Sequence, residues 1–390
     1  MEKNDSCKAQ VSYLISSLCG GGAERIAVEI YSVLASNFSQ QFVKIYDEFG
    51  NGDKYTIERS IVLSKRGRNI IDKLWKLLLS SIKYARLLKS SDVKVSLSFL
   101  PLDNVMNIVS SFLSNTTPII SFHLSPTYTF GKHSNYTTRL SLLLAKIIPT
   151  HIVSVSKGIK DELIKEYGVS ENKISVIYNP INFEKINQMM TDTLDLIINE
   201  PIILAVGRLE PEKGHRHLLR VFAELRKEIP STLIICGEGS LKADLIELAN
   251  NLGIIDNVIF NGWTDNPYKF MRRASVFVQP SLSEALPNVI LEALYCGCPV
   301  IATDSGPGIA ELIDPRKYEG IITSRLSGIK YQSNDPLDEG ERDLMIHLSR
   351  VLQDEMLRNQ LSQNGKGRVK DFSYEKSISE YNNLISKYIE

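Results

Sequence analysis

Short apolar segments, rich in β-branched and aromatic residues, alternate with helical stretches along this chain, and the alternation runs through twice. In the first set, Ala9–Ser16, Phe42–Tyr46, Val93–Phe99, Pro118–Phe122, Ile152–Val155 and Ile174–Tyr178 read as strands, with helices at Ala23–Leu34, Ile70–Leu88 and Lys157–Tyr167. In the second, strands fit Ile202–Val206, Thr232–Cys236, Val258–Phe260, Val276–Gln279, Val300–Ala302 and Ile321–Thr323. Helices there fit Gly214–Lys227, Leu241–Leu252, Asn266–Arg273 and Pro287–Tyr295. Strands this short and continuously apolar belong to a parallel sheet buried on both faces. Two alternating sets predict two doubly wound α/β domains, with ligands beyond the carboxyl ends of the strands and a cleft between the domains. The weakly patterned segment Asn187–Glu200 reads as the linker, and from Asp338 onward the chain reads as consecutive helices.

Composition narrows the class. A length of 390 residues exceeds that of a usual single domain, and 43% hydrophobic with 23% charged residues is ordinary for a globular protein. No apolar run reaches the roughly 18 residues that span a bilayer, and the polar start Met1-Glu2-Lys3-Asn4-Asp5 is not a secretory signal. Cys7, Cys19, Cys236, Cys296 and Cys298 are odd in number and scattered, which fits a reducing, cytoplasmic compartment better than a disulfide framework. Cys296-x-Cys298 has no nearby histidine, so it does not read as a metal site.

Net charge is zero overall, but residues 1–190 carry +7 and the remainder −7. The excess is densest from Arg59 to Lys94, where ten basic residues stand against Asp72 and Asp92. Ile70, Leu74, Leu77, Leu78, Ile82 and Leu88 recur there at helical spacing with Trp75 among them, and Lys73, Lys76, Lys83, Arg86 and Lys89 interleave. Such a helix suits an anionic membrane surface, or equally a core-facing position with a solvated basic face. Nucleic acid is not expected, because no binding motif accompanies the charge.

The chemistry-bearing residues fall at predicted strand ends. Cys19-Gly20-Gly21-Gly22-Ala23-Glu24 is a glycine turn into a helix, where backbone can approach a phosphate. Its spacing is not the dinucleotide fingerprint, although Asp47 and Glu48 end the next strand, so a nicotinamide enzyme is not expected. Gly207-Arg208-Leu209-Glu210-Pro211-Glu212-Lys213-Gly214 places two cations on one ligand-side loop, Arg as a bidentate fork and Lys as a point charge for phosphate. Gly237-Glu238-Gly239, Asn261-Gly262-Trp263 and Asp265-Asn266-Pro267-Tyr268 mark further turns along the same edge. In Ser283-Glu284-Ala285-Leu286-Pro287-Asn288-Val289-Ile290-Leu291-Glu292, two carboxylates flank a loop that becomes an apolar helix. Pro287 suits the first helical turn, and the N–H groups of Leu286, Asn288 and Val289 are placed to meet an anion. An anion cradle between two hydroxyl acceptors is what a sugar nucleotide requires.

This ordered series resembles the retaining glycosyltransferases of the large family 4, which have the GT-B fold of two Rossmann-like domains facing across a cleft. The likeness runs from Gly20 to about Glu311. It rests on the glycine turn, Val206-Gly207-Arg208-Leu209 with Lys213-Gly214, Gly237-Glu238-Gly239, and the Glu284-x7-Glu292 element continuing to Asp304. The closest flavour is that of bacterial enzymes extending lipid-linked glycans or surface polysaccharides, in which Asn266-Pro267-Tyr268 and Ser305-Gly306-Pro307-Gly308 are familiar.

The resemblance implies an acceptor-binding domain at 1–190, a nucleotide-sugar domain at 200–371, and a last helix, about 372–390, packed back on the first. It implies that Arg208 and Lys213 hold the diphosphate, Glu292 the ribose and Glu284 a donor-sugar hydroxyl, with Gly237, Leu286 and Asn288 also on the donor. Gly21 and Gly22 would approach the diphosphate or the acceptor from the other domain. His123 matches the family's cleft histidine near the reacting sugar, and Ser154, Ser156 and Asn179 would line the same cleft. His123, Arg208, Lys213 and Glu284 are thus the catalytic candidates.

Expected substrates are a nucleotide sugar, UDP-N-acetylhexosamine by likeness, and a saccharide or polyprenyl-diphosphate-linked acceptor at the inner face of the membrane. No cofactor is expected, and no metal, since an Asp-x-Asp motif is missing and the cations could stabilise the leaving diphosphate. Retention is what the resemblance implies, with same-face attack by the acceptor as the expected route. One departure is Ala285, where the family usually has Gly; if that position needs φ > 0, alanine is strained by about 1 kcal/mol or more. An inactive partner subunit and a sugar-nucleotide epimerase are the alternatives on the same scaffold.

Overall fold

A computed structural model describes residues 10–47, 52–55, 57–65, 70–126, 132–194, 196–327 and 335–389. Cys7 and Glu48 lie outside them, as do the side chains of Ile70, Lys73 and Leu74. The chain forms two compact units, Met1–Pro180 with Tyr374–Glu390, and Ile181–Ser373.

The first unit holds β1 (Val11–Ile15), β2 (Gln40–Tyr46), β3 (Ser60–Ser64), β4 (Val95–Ser98), β5 (Thr117–Phe122), β6 (His151–Ser154) and β7 (Ile174–Val176). They form one parallel sheet in the order β3-β2-β1-β4-β5-β6-β7. Its helices are α1 (Gly22–Val33), α2 (Ile70–Ser90), α3 (Pro101–Ser114), α4 (Lys132–Ile147) and α5 (Lys157–Lys165). The second unit begins with α6 (Phe183–Met189) and carries β8 (Ile202–Val206), β9 (Thr232–Cys236), β10 (Val258–Gly262), β11 (Val276–Gln279), β12 (Val300–Thr303) and β13 (Ile321–Thr323). These are parallel in the order β10-β9-β8-β11-β12-β13. Its remaining helices are α7 (His215–Arg226), α8 (Lys242–Asn251), α9 (Tyr268–Arg273), α10 (Asn288–Tyr295), α11 (Ile309–Leu312), α12 (Glu339–Gln353) and α13 (Glu355–Val369). The last helix, α14 (Tyr374–Ile389), returns to the first unit. Both sheets are Rossmann-like. Strand order reverses beside β1 in one and beside β8 in the other, so β1 neighbours β4 and β8 neighbours β11.

Each strand run is buried because helices cover both faces. Val11, Tyr13 and Ile15 of β1 face a core that also takes Ile26 and Ile30 of α1 and Tyr381, Leu384 and Ile385 of α14. Leu14 faces the other side, with Val43, Ile45, Tyr84 and Met106. Polar contacts tie α14 down as well: Tyr374 Oη donates to Glu29 at 2.6 Å, and Tyr388 Oη lies 3.1 Å from His151 Nδ1.

β3, α3, α4, α6 and the short α11 are not among the elements expected from the sequence. β3 is an edge strand with Ile61 and Val62 exposed, so it lacks the continuous burial of its neighbours. α3 buries polar groups instead of an apolar stripe: Asp103, Asn104, Asn107, Ser110 and Ser111 are all buried. Asn107 Nδ2 donates to Ser96 O at 2.8 Å and to Ser98 Oγ at 3.0 Å, and Asn104 Nδ2 donates to Ser121 O at 3.1 Å.

Candidate functional site

In the second unit the two loops that matter leave neighbouring strands. The loop after β8 carries Arg208 and Lys213, and the loop after β11 carries Glu284. Gly214 brings them together. Its φ is +67°, and a Cβ there would sit 1.9 Å from Pro280 O, so only glycine lets the backbones touch. Leu282 N–H donates to Glu212 O at 2.8 Å in the same seam. Lys213 Nζ then reaches Glu284 Oε1 at 2.6 Å. That oxygen also accepts from Gln279 Nε2 and Ser281 Oγ, each at 2.7 Å. Arg208 pairs with Glu212 at 2.8 Å and is more than half exposed. Beneath the loop His215 is buried, and burial together with Lys213 lowers its pKa to about 4, so the ring is neutral.

Ala285 is not strained. Among the described residues the only non-glycine positions with positive φ are Asp92, Asn115 and Tyr318. The glycine requirement falls across the contact instead. A Cβ on Gly306 would meet Glu284 O at 2.1 Å and one on Gly308 would meet Ala285 O at 1.7 Å. Glu284 N–H donates to Ser305 O at 2.8 Å, which holds the two backbones in register.

Pro287 precedes α10 as its N-cap rather than opening its first turn, and Asn288 is the first helical residue. The dipole of α10 thus ends at the Glu284 loop. Leu286 is buried on that loop, and Glu292 is buried one turn into the helix beyond Asn288. Phe183 of α6 stacks on Tyr295 of α10 with centroids 4.7 Å apart. Gly237 directs its N–H to Gly262 O at 2.8 Å, so this donor serves the backbone. Asn266 donates from Nδ2 to Met189 O at 2.8 Å and to Asp192 Oδ2 at 2.7 Å, which makes that turn a clasp on α6.

In the first unit Glu24 reaches back over the glycine turn. Its Oε2 accepts from Gly20 N–H and Gly21 N–H, both at 2.8 Å. Gly22 opens onto free space, since a Cβ there meets nothing within 4 Å. Asp103, in the first turn of α3 after β4, accepts Ser16 N–H at 2.9 Å. Burial pushes the Asp103 carboxyl up to about 7 against that hydrogen bonding. His123 follows β5 with its ring 5.8 Å from Phe99. Its Nε2 is buried without a partner, and burial lowers its pKa to about 4. Ser154 lies buried in β6, and Asn179 is buried beyond β7. Ser156 instead caps α5, accepting Ile159 N–H at 3.1 Å.

His217, Asp338 and Glu341 are the one trio of ligand-type side chains gathered within 4.8 Å among the described residues. Arg220 already occupies it, donating to both oxygens of Glu341 at 2.9 and 3.1 Å. This is an ion-pair network joining α7 to α12. Gln279, Ser281 and Thr303 are not among the site residues expected from the sequence; Gln279 and Thr303 close β11 and β12 after apolar residues, and Ser281 stands two positions beyond β11.

A family model described as "Glycosyl transferases group 1" matches residues 194–368, and one described as "Glycosyltransferase Family 4" matches residues 20–185. A Campylobacter jejuni protein named N-acetylgalactosamine-N,N'-diacetylbacillosaminyl-diphospho-undecaprenol 4-alpha-N-acetylgalactosaminyltransferase is 27% identical over 366 residues, covering 93% of this chain and 95% of that one. A second C. jejuni protein, an alpha-1,4-N-acetyl-D-galactosaminyltransferase named for a GalNAc- and diNAcBac-containing PP-undecaprenol, is 26% identical and covers 97% of this chain and 98% of its own. Among solved structures, HepE of Anabaena in complex with UDP and glucose superposes with a TM-score of 0.77 at 17% identity, over 97% of this chain and 100% of that one.

Proposed function

Because this chain is a family 4 glycosyltransferase of the GT-B fold, we propose that it moves an N-acetylhexosamine from a UDP donor to a lipid-linked saccharide with retention of configuration. The observation that carries the reading is the contact of Lys213 with Glu284 at the N-terminus of α10. It gathers a cation, helix N–H groups and a carboxylate at the carboxyl edge of the second sheet. Lys213, with Arg208 swung from Glu212, would hold the diphosphate; Glu284 and Glu292 would accept hydroxyls of the donor sugar and ribose. In the transition state the sugar gains oxocarbenium character and the C1–O bond to the diphosphate breaks. Arg208, Lys213 and the α10 dipole would stabilise the departing anion, with no metal required. The acceptor hydroxyl would attack from the same face and pass its proton to the leaving phosphate oxygen. His123, neutral and with an unpartnered Nε2, is suited to accept a hydroxyl of the reacting sugar. Gly22, open to solvent, is the part of the glycine turn available to ligand, because Gly21 N–H is held by Glu24.

The proposed lipid-linked acceptor brings a membrane with it. α3 is flanked by α2 and α4, and the outer sides of the three helices expose Trp75, Leu78, Leu79, Ile82, Phe112, Leu113, Tyr136, Leu140, Leu143 and Ile147. All three helices leave carboxyl ends of parallel strands, so 78–82, 112–113 and 140–147 fall at similar depth along them. Lys83, Arg86, Lys89, Arg139 and Lys146 are exposed on the same helices, whose only acids are Asp72, paired with Lys76, and buried Asp103. An apolar belt edged by cations and lacking free carboxylates fits an anionic bilayer surface. Co-sedimentation with phosphatidylglycerol vesicles, but not with phosphatidylcholine vesicles, is the expected result, and equal recovery from both would refute it.

The donor reading is tested by thermal shift against UDP-, GDP- and ADP-sugars, with Arg208→Ala as control. A shift from the UDP series alone, lost in the variant, is expected. No shift from any series would sink the reading.

A further inference from the structure

We infer that Gln279 is a positioning residue for Glu284, which with Ser281 sets which carboxylate oxygen the donor sugar meets. The inference rests on the reading of Glu284 as the acceptor for a sugar hydroxyl. Gln279 closes β11, after Val276, Phe277 and Val278, and is almost wholly buried. An amide in such a place needs partners. Its Nε2 lies 2.7 Å from Glu284 Oε1 and 2.7 Å from Ser281 Oγ. Ser281 is fully buried, and its hydroxyl accepts from Gln279 and donates to the same Glu284 Oε1 at 2.7 Å. The Ser281 carbonyl is held in turn by Thr303 Oγ1 at 2.6 Å.

One carboxylate oxygen has two in-plane lone pairs. Three donors, from Lys213, Gln279 and Ser281, therefore fill Oε1. Oε2 accepts no hydrogen bond from the described residues and is the oxygen left for a hydroxyl. Lys213 is the mobile member of the three: a long flexible stem, partly exposed, whose ammonium a diphosphate would draw away. Gln279 and Ser281 stay on Oε1 when it leaves. They keep Oε2 aimed while the cation changes partner, so they govern the stereochemistry read at the sugar and not the grip on the nucleotide.

Gln279→Met keeps length and burial but removes the donors, and Ser281→Ala removes the second clamp. Both are compared with the native protein and with Glu284→Gln for UDP affinity, melting temperature, donor turnover, and preference between UDP-GlcNAc and UDP-GalNAc. Expected for both is UDP affinity within about twofold of native, turnover lowered on the order of 30-fold, and a flattened donor preference. Native turnover and preference in both variants, with Glu284→Gln impaired, overturn the inference alone. An unimpaired Glu284→Gln overturns it together with the reading of Glu284. Parallel loss of UDP affinity and melting temperature also overturns it, because the two residues would then only hold the end of the sheet.

Discussion

Lys213 and Glu284 stand 71 positions apart in sequence and meet at 2.6 Å because β8 and β11, which deliver them, are neighbours where the second sheet reverses its strand order. The first unit repeats the relation in Ser16, just after β1, and Asp103, in the first turn of the helix that follows the neighbouring strand β4. In each unit a residue from the strand-one loop is tied to a carboxylate from the strand across the switch point.

Lys213→Ala should separate the two uses of that pair. Gln279 and Ser281 still serve Glu284 Oε1, so stability should fall by only about 1 kcal/mol. Donor turnover should fall on the order of a hundredfold, since the leaving group loses a cation. Urea melts and steady-state turnover on one preparation check both.

Gly308→Ala should fail where Ala285→Gly succeeds. The new Cβ would lie 1.7 Å from Ala285 O, and backbone must move to admit it. The expected loss is about 1–3 kcal/mol together with most activity. Ala285→Gly relieves no strain and should cost about 1 kcal/mol, from the buried methyl it removes and from unfolded-state entropy. Equal stability of the two variants would contradict this packing.

Acid should weaken the second unit through Glu341. Burial would raise its pKa, but hydrogen bonds from His217 and Arg220 outweigh burial and hold the carboxyl down at about 2, against an ordinary 4.5. The folded state thus binds fewer protons than the unfolded one across that window. The pair's contribution is whole above pH 4.5 and is lost as pH falls toward 2. Glu341→Gln should lower stability at pH 7 by about 3 kcal/mol and flatten the decline below pH 4.5, as read from denaturation midpoints across pH.

Asp103 should act in the opposite sense. Its folded pKa of about 7 lies above the ordinary 3.8, so its contribution is present below pH 3.8 and is lost as pH rises through 7. Asp103→Asn should therefore gain stability relative to native as pH climbs from 4 to 8. A difference that stays constant with pH would refute the assignment.

Most strands, the two-unit architecture, the loop positions of Arg208, Lys213 and Glu284 and the helical position of Glu292 follow from apolar periodicity and from strand ends. What periodicity missed has physical causes. α3 buries asparagines and serines, while much of its apolar stripe, Leu102, Val105, Val109, Phe112 and Leu113, stays partly or fully exposed, so its faces are the reverse of what periodicity implies. Asn266 sits on a strand-to-helix turn like a ligand residue, yet is captured by the carbonyl of Met189 and the carboxylate of Asp192. Gln279 and Ser281 acquire meaning only once β11 brings them under Glu284. Ala285 carries no dihedral strain, and the glycine requirement lies instead in the facing segment at Gly306 and Gly308.

The return of α14 to the first unit sets the order in which the protein is finished during synthesis. The second unit is one continuous stretch, Ile181–Ser373, and all of it precedes α14. The first unit emerges earlier but waits for Tyr381, Leu384 and Ile385, which close the core over Tyr13 and Leu97. The domain begun first is therefore the domain completed last: until α14 is made, its apolar core stays open where Tyr381, Leu384 and Ile385 belong.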